Sequence, residues 1–268
     1  MRQKVVYLVV FMLVVANVGV WNQITGQGEG KIVFLDVGQG DSIYIQTEKG
    51  HRILVDGGPD AKVLERLSMY IPFWDKEIDL IVLTHPDADH VSGLVDVLER
   101  YKVGHILWTG VRAESHVFEA WVNAIEEEGA IITHAEKGQR IMWNDTSFIK
   151  VLHPGDIEAI DVVNDTSVVL QVISPENKIL LTGDITRKVE QELVDMDIRS
   201  DILKIGHHGS KTSTSALFVE AVQPEYAVIQ AGKDNQFSHP HSIVLETLSD
   251  YGITIERTDL NGNVEFSF

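Results

Sequence analysis

Two histidines and two carboxylates fall within six consecutive positions, His85-Pro86-Asp87-Ala88-Asp89-His90, one residue after the apolar run Ile78-Asp79-Leu80-Ile81-Val82-Leu83. A short apolar run bounded by a turn reads as a buried strand. From Ser92 to Tyr101 the apolar residues fall at 94, 97, 98 and 101, which is helical spacing. The cluster is therefore expected on the loop at the carboxyl end of a strand, where open α/β sheets place ligands and chemistry. Imidazole nitrogen and carboxylate oxygen are ligands for zinc, manganese or iron. A solvated polar loop is the alternative. It is disfavoured because other histidines and an aspartate recur at strand ends further along the chain.

Those recurrences are three. Thr182-Gly183-Asp184 follows the apolar Lys178-Ile179-Leu180-Leu181, and a carboxylate so placed can bridge two cations, although such turns are also common punctuation. Gly206-His207-His208-Gly209-Ser210 follows Asp201-Ile202-Leu203-Lys204-Ile205. Adjacent side chains of an extended segment point opposite ways, so one of His207 and His208 is expected to touch metal directly. His207 is favoured, leaving His208 to orient substrate or a carboxylate, and both enter the candidate set. The third is Phe237-Ser238-His239-Pro240-His241, in which His241 opens a predicted helix and reads as structural. His51, His105, His116 and His134 have no comparable setting and read as surface or strand histidines.

The chain has 268 residues, enough for a large core, and its mixture of apolar runs and helical patterns argues for one α/β body. A net charge of −18, from 40 acidic and 22 basic residues, disfavours broad electrostatic capture of nucleic acid. With no cysteine there are no disulfides, no thiolate ligands and no thiol nucleophile. Met1-Arg2-Gln3-Lys4 is basic, and Val5 to Trp21 is apolar except for Asn17. Residues 1–24 therefore read as a signal-anchor or signal peptide, with an uncleaved anchor favoured. Residues 25–30 read as a linker. The basic flank predicts an inside amino terminus and an extracytoplasmic or secreted body over residues 31–268.

Strands are expected over residues 31–37, 42–47, 52–56, 78–83, 105–108, 130–134, 147–152, 167–173, 178–181, 201–205, 226–230, 253–257 and 263–268. Helices are expected over 61–70, 92–101, 115–128, 186–196, 213–222 and 241–251. Two runs of strands, each punctuated by helices, predict two sheets packed face to face with helices outside.

The spacing His85-x-Asp87-x-Asp89-His90 resembles the second motif of the metallo-β-lactamase superfamily, usually His-x-His-x-Asp-His, with Asp87 in place of the second histidine. With Asp36-Val37-Gly38-Gln39-Gly40-Asp41-Ser42 upstream and Gly206 to Ser210 downstream, the chain resembles the hydrolase domain of ComEC-type competence proteins from about Lys31 to Phe268. The resemblance implies an α/β fold, the four-layer αββα sandwich. It also implies that Asp184 bridges metals, that Asp56 in Leu54-Val55-Asp56-Gly57-Gly58 braces the histidine loop, and that His239 meets a phosphate or leaving group. Asp36 and Asp41 belong to the same signature. One departure is the mid-chain histidine of many members. Asn164 or Asp165 stands near that place, and His153 is an early substitute.

The expected activity is a metal-dependent phosphodiesterase or nuclease. Two divalent ions about 3.5–4 Å apart would share a hydroxide, with Asp89 accepting its proton or coordinating the second ion. The metal set is His85, Asp87, Asp89, His90, Asp184, His207 and His208, with Asp89 and His239 as catalytic residues. Zinc is the expected metal, and Asp87 hardens the site toward manganese. The expected substrate is a phosphodiester such as DNA. No multi-helix channel is present in this sequence, so transport is not expected of it. The alternatives are a cell-surface, metal-stabilised binding domain without hydrolysis, and a hydrolase of esters unrelated to nucleic acid.

Overall fold

The computed structural model describes residues 29–157 and 160–268, so the apolar segment expected over residues 1–24 lies outside the described residues. Among the described residues, no helix is long and apolar enough to cross a membrane.

In chain order the first sheet uses β1 (Lys31–Phe34), β2 (Ile43–Gln46), β3 (Arg52–Val55), β4 (Glu77–Leu83), β5 (Lys102–Trp108) and β6 (Ile131–His134). The second uses β7 (Arg140–Met142), β8 (Phe148–His153), β9 (Val169–Ile173), β10 (Lys178–Leu181), β11 (Ile202–Lys204), β12 (Tyr226–Ile229) and β13 (Thr254–Arg257). A last strand, β14 (Val264–Ser267), returns to the first sheet and pairs antiparallel with β1. Each sheet is seven-stranded and mixed. The orders are β14-β1-β2-β3-β4-β5-β6 and β13-β12-β11-β10-β9-β8-β7.

Strand periodicity sorts the apolar side chains into three layers. Ile32 and Phe34 of β1, Leu80 and Val82 of β4, and Ile179 and Leu181 of β10 meet between the sheets. Their neighbours Val33, Ile81 and Leu83 turn outward beneath α1 (Lys62–Leu67), α2 (Ala88–Arg100) and α3 (His116–Glu128), which contribute Leu67, Leu94 and Trp121. On the second sheet Leu180 and Leu203 turn outward beneath α4 (Arg187–Leu193), α5 (Ala216–Val222) and α6 (Ser242–Asp250). Both faces of each central strand are thus buried, which is why these strands read as continuous apolar runs. The layers run helix, sheet, sheet, helix, as expected. A one-turn helix, α7 (Thr258–Asn261), and β7 had no sequence expectation.

Two helix starts differ from expectation. Helix α2 opens at Ala88, not Ser92, because Asp87 is extended (ψ 147°) and its carbonyl accepts from His90 N at 3.0 Å and Val91 N at 3.0 Å. Asp89 and His90 therefore sit on a helical first turn and not on a free loop. Helix α5 opens at Ala216, not Ser213, because Thr214 is left-handed (φ 58°) and Ser213 Oγ is spent on Gly206 O at 2.7 Å. Ser215 is the cap instead, accepting from Phe218 N at 3.3 Å.

The pairs β3–β4, β4–β5, β10–β11 and β11–β12 are parallel. Their carboxyl ends consequently line one rim, and that rim delivers Asp56, His85, Asp184 and His208.

Candidate metal centre

The rim is built from Asp56 upward. Asp56 is fully buried and left-handed at φ 59°. Its carboxylate accepts from Thr84 N at 2.8 Å and Thr84 Oγ1 at 2.7 Å, and it lies 2.8 Å from His90 Nδ1. One carboxylate thereby fixes the end of β4 and the start of α2 together, and it turns His90 Nε2 toward the rim. Helix α2 is held close by glycines: a Cβ on Gly93 would stand 2.1 Å from Gly57 O. On the other side, a Cβ on Gly40 would stand 2.2 Å from Asp89 O, so the 36–42 turn presses directly on the histidine helix.

Four elements then bring their polar atoms together. The ligand atoms of His85, His90 and Asp184 lie within 4.8 Å of one another, as do those of Asp89, His90 and His208, and those of Asp41, Asp184 and His208. Asp184 Oδ2 is 3.5 Å from His90 Nε2, 3.2 Å from His208 Nε2 and 3.9 Å from His207 Nε2. Asp89 Oδ2 is 3.3 Å from His208 Nε2. His85 Nε2, His90 Nε2, His208 Nε2 and Asp184 Oδ1 are all buried and none makes a hydrogen bond. A buried polar atom left so costs about 1–3 kcal/mol, and four in one place need a common partner. Three imidazole nitrogens and a carboxylate oxygen form a donor set that fits divalent zinc or manganese.

Charge supports the same fit. Burial disfavours a charged His90, but the Asp184 and Asp56 carboxylates outweigh it and hold the ring's pKa well above the ordinary imidazole value. Against the same desolvation, Asp184 and Asp41 raise His208 likewise. Burial pushes Asp184 and Asp89 up, yet His208 and His90 outweigh it and draw both carboxyls below the usual range. The pocket therefore stabilises positive charge strongly, and a metal cation supplies that charge without protons.

Lys204 and Asp41 were not foreseen as a pair. The lysine ammonium is wholly buried, paired with Asp41 Oδ2 and 3.9 Å from Asp184 Oδ1. Asp41 Oδ1 is 3.2 Å from His208 Nδ1, whose nearest backbone oxygen is Gln230 O at 3.0 Å. The pair thus orients both His208 and Asp184. The available signal was a lysine inside the apolar segment that leads to the paired histidines. Ser167, also missed, gives its Oγ to Asn164 O at 2.6 Å, accepts from Asp184 N at 3.1 Å and lies 3.4 Å from His85 Nδ1.

The paired histidines correct the extended-segment argument. His207 and His208 are both left-handed, at φ 49° and 54°, so their side chains do not simply alternate. His208 is the buried ring at the centre, whereas the His207 side chain is 29% exposed and farther from Asp184. Asp87 belongs to none of the close groups. Its side chain is 42% exposed, and Oδ2 lies 3.6 Å from His85 Nε2, at the edge of the cluster.

His239 stands at the mouth, with ring centroids 5.7 Å from His207 and 6.3 Å from His208. Burial and the neighbouring His208, His207 and His241 push its pKa down to about 4. Asp36 lies outside the cluster: it pairs with Lys62 at 3.0 Å and Arg66 at 3.1 Å, tying its turn to α1. His153 Nε2 lies 2.8 Å from Asp165 O, and Asp165 Oδ1 accepts from Thr186 N. Neither His153 nor Asp165 enters a close group, so neither fills the place of the mid-chain histidine.

The profile of the Metallo-beta-lactamase superfamily matches residues 35–233. ComE operon protein 3 of Bacillus subtilis is 34% identical over 90% of this chain and 33% of its own length. Exodeoxyribonuclease WalJ of Streptococcus pneumoniae is 25% identical over 58% of this chain and 66% of its own. The chain spans about a third of the length of the first curated relatives that it matches. Among solved structures, the metallo-beta-lactamase fold protein YhfI from Bacillus subtilis superposes with a TM-score of 0.62 at 12% identity, covering 90% of this chain and 100% of that one.

Proposed function

The chain belongs to the metallo-beta-lactamase superfamily, with the site of a metal-dependent hydrolase, and on that premise we propose that it is a phosphodiesterase acting on nucleic acid. The observation that carries this reading is the convergence on one rim of four buried polar atoms that make no hydrogen bond, from His85, His90, Asp184 and His208.

In this reading two divalent ions, zinc or manganese, would be held by His85, Asp89, His90, Asp184 and His208, with Asp87 and His207 at the margin. Such ions supply a Lewis acid for a phosphoryl oxygen and an activated water at neutral pH. The chain's own groups supply the rest. Asp89, kept ionised by His208 and His90 and 3.3 Å from His208 Nε2, would accept a hydrogen bond from the attacking water and so orient it. His239 stands at the mouth of the cluster, its ring 5.7 Å from that of His207, where it would offer a hydrogen bond to the phosphate. Lys204, with its Asp41 partner, is too deeply buried to meet substrate and acts by holding Asp184.

Support for DNA comes from the similarity to an exodeoxyribonuclease and from the ComEC-like signature Asp36 to Ser42. The proposal further takes residues 1–24 as a membrane anchor and residues 31–268 as a hydrolase unit outside the cytoplasm.

The test is Asp184→Asn. The amide keeps the shape but removes the charge that holds the cations, so turnover of bis(p-nitrophenyl) phosphate falls at least ~100-fold while the far-UV spectrum stays native. Near-wild-type turnover in the folded variant would overturn the two-metal reading.

A further inference from the structure

The loop 232–241 carries an exposed aromatic ring beside the metal-site histidines, and we propose that Phe237 is a stacking platform for the nucleobase next to the scissile phosphate. The inference rests on the phosphodiesterase reading and narrows its substrate to an unpaired, base-bearing strand.

Phe237 is 50% exposed in a strongly acidic protein, and its ring stacks on His239 with centroids 5.7 Å apart and an interplanar angle of 26°. His239 in turn borders His207 and His208. The open face of Phe237 thus lies one ring beyond the residue that meets the phosphate, a spacing suited to the base attached to that nucleotide. The platform is rigid. Asn235 Oδ1 accepts from Phe237 N at 3.1 Å and His239 N at 3.0 Å, and Asn235 Nδ2 donates to Gly232 O at 2.8 Å and His239 O at 2.6 Å.

Two unsatisfied polar atoms flank the loop. His239 Nδ1 is buried without a hydrogen-bond partner. Gln39 Oε1 accepts from Gly232 N at 3.1 Å, leaving its buried Nε2 likewise unpartnered. A base in a duplex keeps its faces against its neighbours, so only an unstacked base can use the ring. Stacking also needs no basic groove, which agrees with the net charge of −18.

The experiment compares two esters that release the same p-nitrophenol, thymidine 5′-(p-nitrophenyl phosphate) and methyl p-nitrophenyl phosphate, in the wild-type, Phe237→Ala and Phe237→Trp proteins. Base stacking is worth about 1–3 kcal/mol, so the ratio of kcat/KM for the thymidine over the methyl ester should fall roughly 5- to 150-fold in Phe237→Ala and recover in Phe237→Trp. Fluorescence anisotropy of a labelled oligothymidylate should weaken in the same order. An unchanged ratio and unchanged oligothymidylate binding in Phe237→Ala would overturn the platform, while hydrolysis of both esters would leave the phosphodiesterase reading standing. Hydrolysis of neither ester by the wild type would overturn that reading and the platform with it.

Discussion

At the scale of single residues, Asp87 is the sharpest probe of the metal set. It stands where the superfamily usually has histidine, yet its side chain is 42% exposed and its Oδ2 lies 3.6 Å from His85 Nε2. A marginal anionic ligand should favour a harder ion without being indispensable. Asp87→Ala is expected to weaken one ion and lower activity, with excess metal restoring part of it, and Asp87→His to shift preference from manganese toward zinc. Metal content and phosphodiester turnover with each ion decide the matter; if Asp87→Ala equals wild type in both, Asp87 is a loop residue. Legibility differed sharply between residues. His85, His90 and Asp184 were readable because each follows an apolar strand at a turn. Lys204 was not, because a lysine in a strand reads as an edge or surface group until its partner Asp41, 163 positions earlier in the chain, is known to face it. The His207–His208 geometry was unreadable for another reason. Two consecutive non-glycine residues in the left-handed region are strained, and only their surroundings hold them there, including His207 N donating to Gly183 O at 3.2 Å.

At the scale of elements, strand positions were legible and helix starts were less so. The period-2 and continuous apolar patterns of β1, β4 and β10 placed those strands within a few residues, because burial on both faces leaves few polar interruptions. Strand β7 gave no signal: its three residues Arg140-Ile141-Met142 are an edge with one half-buried side chain, too short to show a pattern. Helix α2 began earlier than its apolar spacing suggested because its first turn is spent on chemistry, with Asp89 and His90 as the second and third residues after the Asp87 cap. The site in turn depends on close approach between elements. Gly93 against Gly57 and Gly40 against Asp89 permit backbone contacts that any side chain would block, so the α2 first turn and the 36–42 turn are positioned as one unit.

At the scale of the whole molecule, two mixed sheets set the carboxyl ends of their parallel strands along one rim, where Asp56, His85, Asp184 and His208 meet. That geometry lets an acidic chain concentrate cation binding at one point without any basic surface. The placement of the molecule follows from the proposed anchor: protease added outside intact spheroplasts should digest residues 31–268, and protection of that body until lysis would contradict an extracytoplasmic site. The central claim, that this rim is a two-metal hydrolytic centre, is tested most directly by anomalous X-ray diffraction from crystals grown with zinc. The account predicts two peaks flanking Asp184, with His85, His90 and His208 nitrogens at about 2.0–2.1 Å from them. No anomalous peak within coordination distance of these histidines, or density confined to surface carboxylates, would contradict it.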